Sequence, residues 1–217
     1  MRRIIYTVAA AAAVLTGSVA AAAPALASNG PGQSISAYYW QPNGHALGGP
    51  RPGTADLSNP SGLALMTENA HGQNIAGQTI TITAHMDPTQ VTALHNAYSS
   101  DVGAYARVWF DGAGGTSAQS PQGYLGQVWW ANVQVQNLNS PIVDSNGEMT
   151  LQAKVDPSQP NVWSDWNGKD ANQNQALFNQ AASHVQQIGL SFGGASFFED
   201  GVTGTGAITI DNITVAP

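Results

Sequence analysis

Three groups of side chains in this 217-residue sequence are of types that do chemistry. The first alternates along separate stretches: Tyr105, Arg107, Trp109 and Asp111 in one, Trp130, Asn132 and Gln134 in a second, and His85 in a third. Indole and phenol rings stack on the flat CH faces of sugars, while Arg, Asp, Asn and Gln fix hydroxyls. A shallow groove of that mixture suits a polysaccharide. If the three stretches are strands of one sheet, these residues converge on an open face. If helices cover that face, the tryptophans are core.

The second group is Trp163 and Trp166 with Asp165, Asn167 and Lys169, in a segment that ends at Gly168 and Lys169. It is either a second aromatic platform or a pin that fastens the loop and the following helix to the body. The third is carboxylates. A glycosidase needs two of them about the scissile bond, one as acid and one as base or nucleophile. Glu68, Glu148, Glu199 and Asp200 are the candidates, and no spacing pairs any two on one face. Asp211, Glu199 and Asp200 are also oxygen donors of the kind Ca²⁺ takes, which makes them the candidate ligands for a structural ion.

Other chemistries are excluded. There is no cysteine, hence no thiol catalysis, no Cys-ligated zinc and no disulfide. His45, His71, His85, His95 and His184 show no zinc-like spacing, and no Gly-x-Ser-x-Gly motif occurs. The formal charge is −7, and beyond Arg2 and Arg3 the cations are Arg51, Arg107, Lys154 and Lys169. No basic footprint exists for a phosphate backbone or an anionic membrane.

The elements that would position these groups read as strands. In Thr79 to Met86, Ile80, Ile82, Ala84 and Met86 alternate with Thr79, Thr81, Thr83 and His85. Ala104 to Asp111 and Leu125 to Gln136 alternate in the same way, placing Ala106, Val108, Phe110, Trp129 and Ala131 inward. Asn146-Gly147 predicts a hairpin turn into Met149, Leu151, Ala153 and Val155. In the last strand Ile208 and Ile210 share a parity that Ile213 and Val215 break. A bulge at Asp211-Asn212 would return all four to the core. Two helices are expected. One starts at Asp87-Pro88 with Val91, Leu94 and Tyr98 on one side, and one is capped by Asp170 with Leu177, Phe178, Ala181, Ala182 and Val185 as its stripe. Tyr38-Tyr39-Trp40 lies in a Pro-rich segment, where prolines oppose long regular structure and the aromatics close the end of the core or form a stacking surface.

Arg2-Arg3, an Ala-rich apolar run and Ala25-Leu26-Ala27 read as a secretory signal peptide over residues 1–27. Residues 28–217 then form a single all-β sandwich domain, of a size such folds reach without splitting.

Trp163-Ser-Asp-Trp-Asn-Gly-Lys, Ile188-Gly-Leu-Ser-Phe-Gly-Gly, Phe197-Phe198-Glu199-Asp200-Gly201 and Ile208-Thr-Ile-Asp-Asn-Ile-Thr-Val together resemble the jelly-roll, galactose-binding-like domains of secreted actinobacterial proteins. The chain is similar to the non-catalytic carbohydrate-binding modules attached to plant-polysaccharide hydrolases. The resemblance implies an antiparallel jelly-roll β-sandwich with one or two short helices, polysaccharide binding, and a structural Ca²⁺ near the terminal strands with Asp211 as a ligand. The expectation is therefore a secreted, monomeric, non-catalytic polysaccharide-binding protein, free of nucleic acid and of membranes after signal cleavage. The alternatives are a small jelly-roll glycoside hydrolase or lyase using Glu199 or Glu148, and a structural or cell-surface domain without a sugar site.

Overall fold

A computed structural model of the chain describes residues 35–41, 44–50, 53–87, 89–98, 103–113, 127–195 and 198–217, with the side chains of 40–50 excepted. The expected leader over residues 1–27, the side chain of Trp40, Pro88 and most of the expected loop from Gly112 to Pro121 lie outside the described residues.

In chain order the strands are β1 (Ser36–Gln41), β2 (Gly44–Pro50), β3 (Thr54–Asp56), β4 (Leu63–Gln73), β5 (Thr79–His85), β6 (Thr92–Asn96), β7 (Tyr105–Gly112), β8 (Gln127–Ala131), β9 (Gln136–Asn137), β10 (Glu148–Lys154), β11 (Trp163–Asp165), β12 (Val185–Gly193), β13 (Val202–Thr205) and β14 (Ala207–Ala216). The helix α1 is Gln175–Ala182. The strands make two antiparallel sheets. One runs β11-β8-β7-β12-β4-β1-β2, with β13, β6 and β9 attached, and the other runs β10-β5-β14-β3. This is the expected jelly-roll β-sandwich, and among the described residues it carries one short α-helix, within the expected one or two.

The core lies between the sheets, where the period-2 alternation puts it. Ile80, Ile82 and Ala84 of β5, and Met149, Leu151 and Ala153 of β10, face Val108 and Phe110 of β7, Trp129 of β8 and Ile188, Leu190 and Phe192 of β12. In β14 the pairing with β5 slips between Ile210 and Asn212, so Asp211 is the extra residue of a bulge. Ile208, Ile210, Ile213 and Val215 are all buried, as the parity break predicted. One inserted residue restores to the core the side chains that a flat strand would turn to water.

Other expectations are corrected. The stretch after Asp87 is not a helix. The Asp87 carboxylate accepts from the amide and hydroxyl of Thr89, closing a tight turn, and β6 follows, paired with β13. Leu94 is buried on that strand while Tyr98 is 71 % exposed. The Pro-rich start carries short strands, because the prolines fall at strand ends and between them. Tyr39 enters the core, its hydroxyl accepting from the Asp56 amide at 3.0 Å, whereas Tyr38 lies on the opposite face. Asp170 caps a 3₁₀ turn, Ala171–Gln173, just ahead of α1. Phe178, Ala181 and Ala182 are the helix's buried residues, and Val185 already belongs to β12.

A candidate site on the outer face of the larger sheet

The strands β7 and β8 are neighbours, and Trp109 sits directly opposite Trp130. Arg107, Trp109 and Asp111 share that face, because residues two apart point the same way. On the other side of β7, Trp109 faces Gly189 and Arg107 faces Ser191 of β12. Glycine is required at 189, since a Cβ there would collide with the Met66 carbonyl oxygen of β4. The resulting small surface leaves room for the bulky indole across from it.

Trp109, Trp130, Leu65 and Val128 form a second apolar cluster, packed by Tyr38, Trp166 and Phe198, on the side of the sheet away from the core. Trp130 lies 5.8 Å from Trp166 and 6.1 Å from Phe198 between ring centroids. The face is not open in the way the alternation suggested. Trp109 is 0 % and Trp130 2 % exposed, while Tyr38, Tyr105, Trp166 and Phe198 form a partly exposed rim.

Chain from the end of β12 lies over this face. The Ser191 hydroxyl donates to the Phe198 carbonyl at 2.6 Å, and the Gly194 amide donates to the Asp200 carboxylate at 3.0 Å. The Gly201 amide returns to the Phe192 carbonyl at 3.0 Å, and the Gly201 carbonyl accepts from Ala97 at 2.8 Å. Gly201 has φ +86°, and a Cβ on it would lie 3.2 Å from the backbone of Gly62; Gly62 itself has no room for one against Ala97. These contacts hold Phe198 so that the Arg107 guanidinium stands 4.1 Å from its ring centroid. The guanidinium also donates to the Gly194 carbonyl at 3.3 Å. Burial lowers the Arg107 pKa to about 10, so it remains a cation, stabilised by the ring.

The same loop brings Glu199 close enough to Asp111 for the charge of one to act on the other. Each is only 4 % exposed. Burial raises Asp111 to about 6. Burial first, and then the charge of Asp111, pushes Glu199 well above the ordinary carboxylate range. Two like charges in a dry site do not readily both ionise, so the two carboxyls titrate as a coupled pair. Asp111 Oδ1, both carboxyl oxygens of Glu199 and the Trp130 indole nitrogen are buried without hydrogen-bond partners.

The remaining expected site residues distribute elsewhere. Asn132 continues the β8 side of the face, its amide donating to Ser164 Oγ at 3.3 Å. Gln134 does not belong to it. It lies in a left-handed turn, φ 50°, and accepts from the Gln152 amide of β10, at the edge of the other sheet. His85 is also in the other sheet, opposite Glu148 and Thr209. Trp163 is core, with its indole nitrogen donating to the Lys154 carbonyl at 2.7 Å and its ring 5.1 Å from Phe110. The Trp-x-x-Trp segment therefore splits, Trp163 pinning and Trp166 joining the outer face. Asp165 caps the turn that carries Trp166, accepting from the amides of Asn167 and Lys169.

The three expected metal ligands are not brought together. Asp211 is exposed on the bulge of β14 in the four-stranded sheet, while Glu199 and Asp200 lie on the far side of the larger sheet, where Asp200 serves to close its own loop. Among the described residues no group of three or more His, Cys, Asp or Glu has the arrangement to hold a metal ion. What sequence reasoning missed is the pairing of Asp111 with Glu199. Both were candidates for separate roles, and the loop after β12, folded over β7, brings them within electrostatic reach of each other.

Fold and face together define an antiparallel β-sandwich whose larger sheet carries an aromatic, carboxylate-bearing outer face. The chain matches no protein-family model and no curated protein. Among solved structures it is similar to a mutant of Xylanase10C from Cellvibrio japonicus in complex with xylopentaose, at 13% identity and a TM-score of 0.45, over 87% of this chain and 28% of that one. It spans less than a third of that protein's length.

Proposed function

We propose that the protein is an exported, glycan-binding β-sandwich whose site is the outer face of β7 and β8, rimmed by Tyr38, Trp166 and Phe198. One observation carries this reading: the outer face on which Trp130 packs against Trp166 and Phe198 also holds buried, unpartnered polar atoms of Trp130, Asp111 and the overlying Glu199. Buried polar groups are nearly always hydrogen-bonded, and a sugar supplies hydroxyls for them together with CH faces for the rings. The scarcity of cations and the carboxylates on the face favour a neutral glycan over a polyanion. Export rests on the leader-like residues 1–27.

The test is retention on insoluble cellulose, xylan, mannan and chitin. At least one is expected to hold the protein. Trp166→Ala and Tyr38→Ala, at the partly exposed rim, are each expected to weaken retention about tenfold, equivalent to about 1.4 kcal/mol, with thermal unfolding little changed. Retention by none of the four, or retention indifferent to both substitutions, refutes the reading.

A further inference from the structure

Trp109 and Trp130 are closed off at the middle of the outer face, so a ligand first meets the groups at its margins. Besides the aromatic rim, one margin is polar. Asp111 of β7 pairs in register with Gln187 of β12, and Gln187 with Asn69 of β4, so the three make one row across neighbouring strands. Asp111 is buried, Gln187 half-buried and Asn69 exposed. Local irregularity sets the outer two. In the pairing with β7 the register slips between Val185 and Gln187, which makes Gln186 an extra residue. Val185 and Ile188 then both reach the core, and Gln187 takes the outward parity of Gly189 and Ser191. Its side chain has no hydrogen-bond partner among the described residues. Asn69 has the parity of Leu65, a member of the outer cluster, and stands just ahead of a left-handed pair, His71 at φ 52° and Gly72 at φ 77°. The His71 amide donates to Asn69 Oδ1 at 2.8 Å. That bond fixes the Asn69 side chain and leaves its Nδ2 group as a donor.

We infer, resting on the glycan-binding reading above, that Gln187 and Asn69 select the sugar, binding adjacent hydroxyls of one neutral unit while the aromatic rim holds the chain. Rings stack on CH faces that many neutral sugars share, so they retain a chain without choosing it. Choice needs groups that fix hydroxyl positions. The Gln187 amide offers both a donor and an acceptor, and the anchored Asn69 adds a second donor. Register partners on antiparallel strands have Cα atoms about 4.5–5.5 Å apart, which lets the two side chains address neighbouring hydroxyls of a single ring. At about 4.8 Å between strands, β12 lies two strands, or roughly 10 Å, from β8 and the Trp130 that packs on Trp166. The sugar met by the amides is therefore a neighbour in the chain of the one stacked on Trp166, and the two functions fall on different units of the same glycan.

The experiment displaces the full-length protein from a polymer that retains it, using soluble fragments of cellulose, xylan, mannan and chitin in turn. The ratios of the half-displacing concentrations give the preference, whatever the strength of retention on the solid phase. The native chain is expected to show a spread of about tenfold or more among the four, the scale of a hydrogen bond gained or lost. Gln187→Leu keeps the bulk of the side chain and removes its hydrogen bonds, and is expected to collapse the spread to about threefold or less. Asn69→Ser, whose hydroxyl can close the same turn, is expected to narrow it. Trp166→Ala is expected to shift all four concentrations together and to preserve the spread. A spread unchanged in Gln187→Leu, or none in the native chain, overturns the selecting role and leaves binding intact. Retention of the native chain by none of the four polymers sinks the binding reading, and the selecting role with it.

Discussion

The two sheets have outer faces built on the same alternation, and they differ in nearly every other respect. On the four-stranded sheet the outward residues are Thr79, Thr81, Thr83 and His85 of β5 beside Thr150, Gln152 and Lys154 of β10. They are partly or fully exposed and satisfy one another locally, as Gln152 does with Thr81 at 3.2 Å and Thr54 with Thr209 at 2.9 Å. On the larger sheet the outward residues are tryptophans, an arginine and carboxylates, nearly all buried, with polar atoms left unpaired. Water is the partner of most of the first face, although Asn212 Oδ1 of β14 is buried there without one. The second has been withdrawn from water without receiving replacements for all the hydrogen bonds it lost, the arrangement expected where a ligand completes the set.

The largest expected break in this comparison is Trp109→Ala. Although it lies outside the inter-sheet core, its burial predicts a loss of about 3–5 kcal/mol in urea unfolding, the range for a core aromatic; a loss under about 1 kcal/mol would make the two faces equivalent. The second effect concerns Asp111. Its folded pKa is raised from 3.8 to about 6, so the stability associated with its protonated form is full below about pH 4 and is lost as pH rises through 6. Asp111→Asn is therefore expected to be more stable than the native protein at pH 7, by roughly 1–3 kcal/mol, with the advantage gone at pH 4. Denaturant titrations at the two pH values check it, and an advantage that grows toward pH 4 would reverse the assigned sign. The smallest effect is Thr81→Ala, expected to change stability by no more than about 0.5 kcal/mol. A large loss there would show that the threonine face is also structural.

Sequence alternation made much of this legible. It separated Phe110 from Trp109 and Trp129 from Trp130, and a broken parity located the bulge at Asp211. Local turn chemistry set its limits. Asp87-Pro88 has the residues of a helix start, but the Asp87 carboxylate closes a turn on Thr89 and β6 is then claimed by β13, a partner over a hundred residues away that no local pattern announces. The expected strand through Gln134 failed for a related reason, because the left-handed backbone at Gln134 ends the alternation and delivers its side chain to the other sheet. Nor does period-2 patterning distinguish a face open to solvent from one covered by chain, so the burial of Trp109 and Trp130 was hidden. The meeting of Asp111 and Glu199 depends on β7 and β12 being neighbours, which is a property of topology.

The Gly62–Gly201 contact makes the geometry of the face depend on residues no ligand would touch. Two backbones meet there with no side chain between them, so the joint has no rotamers with which to absorb an error. Displacement of either chain passes directly to the Phe198–Asp200 turn and to the carboxyl it carries. Genetic variation that spares every aromatic and acidic residue of the face would still be filtered at these two small positions, and a laboratory search for altered ligand preference would find its levers at the joint as well as on the face.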